Sequence, residues 1–326
     1  MLYTVGLNDP VIQAYDLEID PDAEPEEGQE YEDWPMYRYN SEGLISELTI
    51  SKNRRWILAV NEFGRVECFE SRKSGRLLRL ATIELPEGNA TTLAITPISD
   101  RTYIASDAGK IYRYTIDSEG NMELEAGSAA GPTTPTKALV RSSGEGLYVL
   151  DQDGSKVWQY SIQPDGSLAP LTPAQVTVSG GPADGLWNAD GSRLFVSCVD
   201  SNQVVQFSTL PGGQLQETSR VAGPSKPGTP VLNADETFLY VPSQLGTSEI
   251  WRYQVGASLT SQDPPFPTNH WNQGSAVLNP FGYLFVLNVG DRNYSEYAIQ
   301  PDGSVLFRRT KGLDFNAAKA VWRVNP

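Results

Sequence analysis

The sequence is poor in the residues on which several kinds of site chemistry depend. It has one histidine, two cysteines and three methionines in 326 residues. A single histidine excludes a metal site built from several imidazoles and argues against a Ser-His-Asp triad. Two cysteines, Cys68 and Cys198, are too few for a disulfide framework, and we interpret both as buried thiols. We predict no metal site and no cofactor.

Long apolar runs and excess positive charge are also missing. No apolar run reaches the roughly 18 residues that a membrane-spanning helix needs. Residues 1–10 lack the basic start of a signal peptide, so we expect a cytoplasmic chain or one assembled into a particle such as a virion. The 25 Lys and Arg residues stand against 40 Asp and Glu residues, a net charge of −15. Because an anionic chain gains nothing from releasing the counterions of phosphates, we exclude nucleic acid as a partner.

The chain is rich in glycine, proline and aromatic residues, with 29 Gly, 23 Pro and 15 Tyr. That composition favours many short strands joined by tight turns. One motif recurs: an aliphatic strand, a polar turn, and a second strand that closes on an aromatic residue. The closing aromatics are spaced 44 to 54 residues apart, and they are Tyr15, Phe69, Tyr114, Tyr160, Phe207, Tyr253 and Tyr297.

Seven repeats of about 45 residues, with strands of period 2, are typical of the blades of a β-propeller. We therefore predict an all-β, seven-bladed β-propeller that forms a single domain over residues 1–326. The N-terminal strands, residues 2–5 and 11–17, have no preceding strand, and we expect residues 317–324 to pair with them in one blade. This closure would hide the edge strands. A pair of β-sandwiches or a β-helix is the alternative.

The turns repeat as well. Residues 162–167 and 299–304 are the same hexapeptide, IQPDGS, and residues 116–121 occupy the corresponding place in another repeat. Proline fixes φ at the first turn position, and Asp-Gly tolerates positive φ. These segments are predicted to be structural hairpins between the outer two strands of a blade.

The segments LYVLDQDGSKVWQYSIQPDGSL and NADGSRLFVSCVDSNQVVQFS resemble the seven-bladed lactonase-type propellers. That family includes the propeller 6-phosphogluconolactonases, the carboxymuconate cyclases and related surface-layer repeats. The resemblance covers all seven repeats as architecture, and it is specific in sequence over residues 144–304. It implies a pocket in the propeller axis in which Arg, His and Glu handle an acidic lactone.

The chain departs from this family at the pocket positions. The resemblance places the Arg at Ala183, the His at Asp184 and the Glu at Val199, so the three groups are missing. In the sixth repeat Val289 stands where the family often has Arg. The repeats of the family are kept, but the residues that would handle an acidic lactone are missing. No catalytic residue is therefore predicted from the resemblance.

Two residues are alternative site candidates. Asp184 lies on the first strand of its repeat, from which a carboxylate can point into the axial channel to bind a cation or a polyol; simple solvation of the channel is the other interpretation. His270 lies in a loop before the sixth repeat, where it either contributes to a site or is solvated beside Trp271.

An acidic insertion at residues 18–34 explains the one long repeat. Residues 16–33 hold ten carboxylates and no basic residue. Loops that depart from a repeat often carry function. We predict that this insertion binds a protein partner through Glu24, Glu26, Glu27, Glu30, Tyr31, Glu32, Asp33 and Trp34. Neutralisation by the basic stretch at residues 52–79, or plain solvation, are the alternatives.

Three functions remain open from the sequence. The leading hypothesis is a non-enzymatic propeller that serves as a protein-interaction or structural assembly module. The first alternative is a divergent lactonase that hydrolyses a sugar or muconate-type lactone in the axial pocket. The second is a carbohydrate- or cation-binding propeller of a cell or virion surface. An axial pocket lined with Arg and a carboxylate would favour the enzyme, and a pocket lined with Ala, Val and backbone would argue against it.

Overall fold

A computed structural model describes residues 2–6, 8, 10–15, 31–32, 37–72, 76–99, 101–245, 248–268, 273–279, 281–289, 291–313 and 317–322. Within these ranges the regular structure is entirely β. No helix among them is long and apolar enough to cross a membrane.

The strands follow one another with short connections. In the first half of the chain they are β1 (Leu2–Gly6), β2 (Val11–Tyr15), β3 (Tyr31–Glu32), β4 (Tyr37–Asn40), β5 (Ile45–Ile50), β6 (Trp56–Asn61), β7 (Val66–Ser71), β8 (Leu77–Ile83), β9 (Ala90–Ile95), β10 (Arg101–Ser106), β11 (Lys110–Ile116), β12 (Met122–Ala130), β13 (Pro135–Val140), β14 (Gly146–Asp151) and β15 (Lys156–Ile162). The later strands are β16 (Leu168–Thr177), β17 (Pro182–Trp187), β18 (Arg193–Cys198), β19 (Gln203–Thr209), β20 (Leu215–Ala222), β21 (Val231–Leu232), β22 (Phe238–Pro242), β23 (Glu249–Val255), β24 (Leu259–Pro267), β25 (Gln273–Leu278), β26 (Tyr283–Asn288), β27 (Asn293–Ile299), β28 (Val305–Gly312) and β29 (Ala317–Trp322).

These strands form seven sheets whose neighbouring strands pair antiparallel, except that β3 pairs in parallel with β28. The chain has the fold of a seven-bladed β-propeller. It divides into two compact units. One unit contains four sheets, β5–β8, β9–β12, β13–β16 and β17–β20. The other contains the sheets β21–β24 and β25–β28 and the sheet that joins the two ends of the chain. The all-β, seven-bladed fold predicted from the repeat is confirmed.

The sheet that joins the ends has the order β29-β1-β2-β4. The C-terminal strand β29 pairs antiparallel with β1, with Thr4 opposite Ala320. The predicted closure is therefore confirmed over Ala317–Trp322. Without β29, the backbone groups of β1 would form an open sheet edge.

Within each unit the core lies between successive sheets, because the second strands are almost entirely buried. All six residues of β14 are buried, as are all six of β6. In the four-sheet unit Trp56 and Leu58 of β6 pack against Tyr112 and Tyr114 of β11. Full burial of each such side chain stabilises the fold by about 1.5–3 kcal/mol. Cys68 and Cys198 are buried free thiols, as predicted, and burial raises the pKa of Cys198 to about 12.

The repeated hexapeptides form the hairpins predicted for them, between β15 and β16 and between β27 and β28. In the first, the carboxylate of Asp165 accepts hydrogen bonds from the backbone amide and the hydroxyl of Ser167. Gly166 has a φ of 82°, a left-handed conformation that glycine adopts without a steric penalty. The carbonyl of Gly166 accepts a 2.7 Å hydrogen bond from the hydroxyl of Tyr103 in the preceding sheet. The turns therefore tie neighbouring sheets together.

The end of the acidic insertion joins a sheet. Tyr31 and Glu32 form β3, which pairs in parallel with Lys311 and Gly312 at the edge of β28. This backbone pairing makes the β25–β28 sheet five-stranded.

Candidate functional site

The first strands of three successive sheets carry a bulge at the same place. In β9, β13 and β17 the pairing with the second strand skips one residue. The skipped residues are Thr91, Thr136 and Ala183. The next position is structurally equivalent in the three sheets, and it is occupied by Thr92, Lys137 and Asp184. A bulge re-aims the side chains beside it, and bulges are frequent next to functional sites.

The first strand of the preceding sheet, β5, joins this set. The hydroxyl of Ser46 donates to the carbonyl of Val60 at 3.3 Å, just as Thr91 donates to Ala105 at 3.1 Å. Ser46 therefore corresponds to Thr91, and Glu47 occupies the equivalent position. Four consecutive first strands of one unit thus present one residue each, and three of the four residues are charged.

The charged residues form one group. The Nζ atom of Lys137 lies 2.9 Å from Oε1 of Glu47. The Glu47 side chain is 3% exposed and that of Lys137 is 21% exposed, so the carboxylate is buried and the lysine side chain is only partly exposed. Asp184 acts on the same ammonium through its charge, and its Oδ1 atom accepts a 2.8 Å hydrogen bond from the amide of Gly185. We call Glu47, Lys137 and Asp184 the first-strand triad.

The triad keeps its cation charged. Burial by itself lowers the pKa of Lys137, but the negative charges of Glu47 and Asp184 and the hydrogen bond to Glu47 outweigh it. The pKa of Lys137 therefore lies above its ordinary value. The site therefore holds a charged ammonium beside Glu47 and within the field of Asp184. Such an ammonium can donate a hydrogen bond to a polar molecule and stabilise a developing oxyanion.

Comparison with known proteins gives structural relatives. The periplasmic gluconolactonase of Pseudomonas aeruginosa superposes with a TM-score of 0.82 at 19% identity, over 100% of both chains. A protein of Bacteroides fragilis proposed to be a 6-phosphogluconolactonase superposes with a TM-score of 0.80 at 18% identity, over 98% of this chain and 96% of that one. A protein of Lactobacillus plantarum superposes with a TM-score of 0.78 at 16% identity, over 98% of this chain and 97% of that one.

The fold is that of the lactonase-type seven-bladed propellers. The predicted structural resemblance is thereby confirmed. No family model matches the chain, and no curated protein does. At identities below 20% these relatives establish the fold, and the chemistry has to be argued from the residues of this chain.

Of the two candidate residues from the sequence, the structure describes one. Asp184 lies on the first strand β17, as predicted, and belongs to the triad. His270 lies outside the described residues. Sequence reasoning missed Glu47 and Lys137. The signal that could have found them is the alignment of first strands, which sets Ser46-Glu47 in the same two columns as Thr136-Lys137.

Most of the residues predicted to bind a partner through the acidic insertion lie outside the described part of the chain. Glu24, Glu26, Glu27, Glu30, Asp33 and Trp34 lie outside the described residues. Tyr31 and Glu32 are described as the backbone of β3. Binding of a protein partner by this insertion stays a prediction.

Proposed function

We propose that this protein is a lactonase that binds an uncharged, polyhydroxylated lactone at the first-strand triad and opens its ring. The observation that carries the proposal is the ammonium of Lys137, held 2.9 Å from Glu47 and within the field of Asp184. Two proteins of the same fold support a lactone as the substrate, since one is named a gluconolactonase and the other is proposed to be a 6-phosphogluconolactonase.

The charges of the triad favour an uncharged substrate. The carboxylate of Glu47 already neutralises the one ammonium, and Asp184 adds a further negative charge. A phosphorylated lactone would therefore meet net repulsion, whereas the hydroxyl groups of a neutral sugar lactone can donate hydrogen bonds to the carboxylates.

Lactone hydrolysis needs a base for water and a cation for the carbonyl oxygen. Asp184 accepts a proton from a water molecule as the water oxygen bonds to the carbonyl carbon. Lys137 donates a hydrogen bond to the carbonyl oxygen and stabilises the negative charge that forms there. The bond between the carbonyl carbon and the ring oxygen then breaks, and the proton on Asp184 passes to the leaving oxygen. The product is a hydroxy acid, and Glu47 keeps Lys137 charged and in place throughout.

The test is hydrolysis of D-glucono-1,5-lactone by the purified protein, followed by titration of the acid released and corrected for spontaneous hydrolysis. We expect activity that falls at least 100-fold in Lys137→Met and in Asp184→Asn. Asp190→Asn is the matched control, because Asp190 is an exposed turn residue of the same sheet. A wild-type protein that acts on no lactone, or variants as active as the control, would refute the proposal.

A protein-interaction module is the second candidate, and it was the leading hypothesis from the sequence. The observation that favours it is the pairing of Tyr31 and Glu32 with β28, which ties the end of the acidic insertion to a sheet edge. Replacing residues 18–30 by a Gly-Ser linker of equal length, followed by affinity capture from the native source, tests it. We expect a partner that is retained by the wild type and lost by the variant; equal capture by both would contradict this function.

A further inference from the structure

Thr92 is the uncharged member of the four equivalent first-strand residues, and its strand β9 lies in the sheet between those of Glu47 and Lys137. The sheet β9–β12 packs against β5–β8 through one apolar cluster and against β13–β16 through another. Lys137 and Glu47 are in contact although the sheet that contains Thr92 lies between their two sheets. The Thr92 side chain is fully buried, with 0% exposure.

The hydroxyl of Thr92 also contacts the strand of Lys137. Its Oγ1 atom accepts a 3.0 Å hydrogen bond from the backbone amide of Ala138, the residue directly after Lys137. Ala138 is itself 4% exposed, so this amide needs a protein partner. The bond fixes the backbone from which the Lys137 side chain extends.

Thr92 is shorter than its equivalents in the adjacent sheets, which are a glutamate and a lysine. Its hydroxyl supplies a hydrogen-bond acceptor to the first strand of the next sheet.

We infer that Thr92 is a positioning residue that holds Lys137 in register with Glu47. The inference rests on the proposed function for its catalytic consequence, but the ion pair itself is measurable without a substrate. Two readouts keep the two ideas separate.

The first readout is a double-mutant cycle between Glu47→Gln and Lys137→Met, measured by urea unfolding in three backgrounds. In the wild type and in Thr92→Ser, which keeps the hydroxyl, we expect the same coupling within twofold in the unfolding equilibrium constant. In Thr92→Val, which keeps the volume and loses the acceptor, we expect the coupling to fall about tenfold, or about 1.4 kcal/mol. Thr91→Val is the matched control, since the Thr91 hydroxyl bonds within its own sheet.

The second readout is lactone turnover. We expect Thr92→Val to lower kcat about tenfold with KM within twofold, and Thr92→Ser to restore it. Unchanged coupling in Thr92→Val, or an equal loss in Thr91→Val, would overturn the inference. If the wild type hydrolyses no lactone while the coupling falls as expected, the proposed function fails and the positioning role of Thr92 stands.

Discussion

The ammonium of Lys137 lies 2.9 Å from the carboxylate of Glu47, although the two residues are 90 positions apart in the chain. They belong to sheets that are separated by a third sheet, and both occupy the position directly after a bulge or its equivalent. A buried carboxylate with a partly exposed cation is stable only while the pair is intact, because an isolated buried charge is strongly disfavoured.

We expect the two halves of this pair to respond differently to substitution. Lys137→Met leaves the buried carboxylate of Glu47 uncompensated and should lower the free energy of unfolding by about 3 kcal/mol. Glu47→Gln should cost less, because the Lys137 side chain is partly exposed and the negative charge of Asp184 still acts on its ammonium. The double variant Lys137→Met, Glu47→Leu should recover most of the loss. Urea unfolding measures all three, and a larger loss in Glu47→Gln would contradict the ranking.

Alkaline pH should destabilise the protein steeply. Burial raises the pKa of Tyr148 and of Tyr297 to about 12, against 10.0 for an ordinary tyrosine. A folded-state pKa above the unfolded value gives stability that is fully present below pH 10 and is lost as the pH rises toward 12. We expect the free energy of unfolding to stay constant below about pH 10 and to fall between about pH 10 and about pH 12. Tyr148→Phe should make the fall shallower; an identical slope in the variant would argue against this assignment.

The bond from Tyr103 to the turn at Gly166 should contribute measurably to stability. The hydroxyl donates to the carbonyl of Gly166 at 2.7 Å in a buried setting. Tyr103→Phe leaves that carbonyl without this donor and should lower the free energy of unfolding by about 1 kcal/mol. Tyr112→Phe is the control, because the Tyr112 hydroxyl makes a longer bond of 3.4 Å to Glu87 and should cost less. Thermal unfolding of both variants measures the two losses of stability. Equal losses in Tyr103→Phe and Tyr112→Phe would show that the bond to the turn contributes nothing extra.

Alanine substitutions at two glycines with similar φ can distinguish backbone strain from steric crowding. Gly303 has a φ of 78° and Gly282 has a φ of 84°, so alanine is strained at both by about 1 kcal/mol. A Cβ atom at position 303 would lie 2.5 Å from the ring of Phe238, whereas one at position 282 would have nothing within 4 Å. Gly303→Ala should therefore destabilise the protein by at least about 1 kcal/mol more than Gly282→Ala. Similar free energies of unfolding for the two variants would show that the ring moves aside.

Much of the fold could be predicted because it repeats. The closing aromatic residues mark seven blades, and the hexapeptide turns at residues 162–167 and 299–304 fall between the outer strands as expected. The site was harder to predict. Asp184 was found through its place in the resemblance, but Lys137 was missed, because a lysine in an alternating strand is ordinarily interpreted as exposed. The bulge at Thr136 shifts that alternation by one residue, and a shift of this kind is visible only once the strand pairing is known.

The sequence alone determined the number of blades, the chain closure and the short turns, because each depends on a local pattern that the chain repeats. The tertiary structure alone decided which charges meet. Glu47, Lys137 and Asp184 belong to three different sheets, and an alignment of the repeats places them in one column without showing which of them meet. They become one site because the packing of successive sheets aligns their first strands, which brings Lys137 within hydrogen-bonding distance of Glu47 and within the field of Asp184.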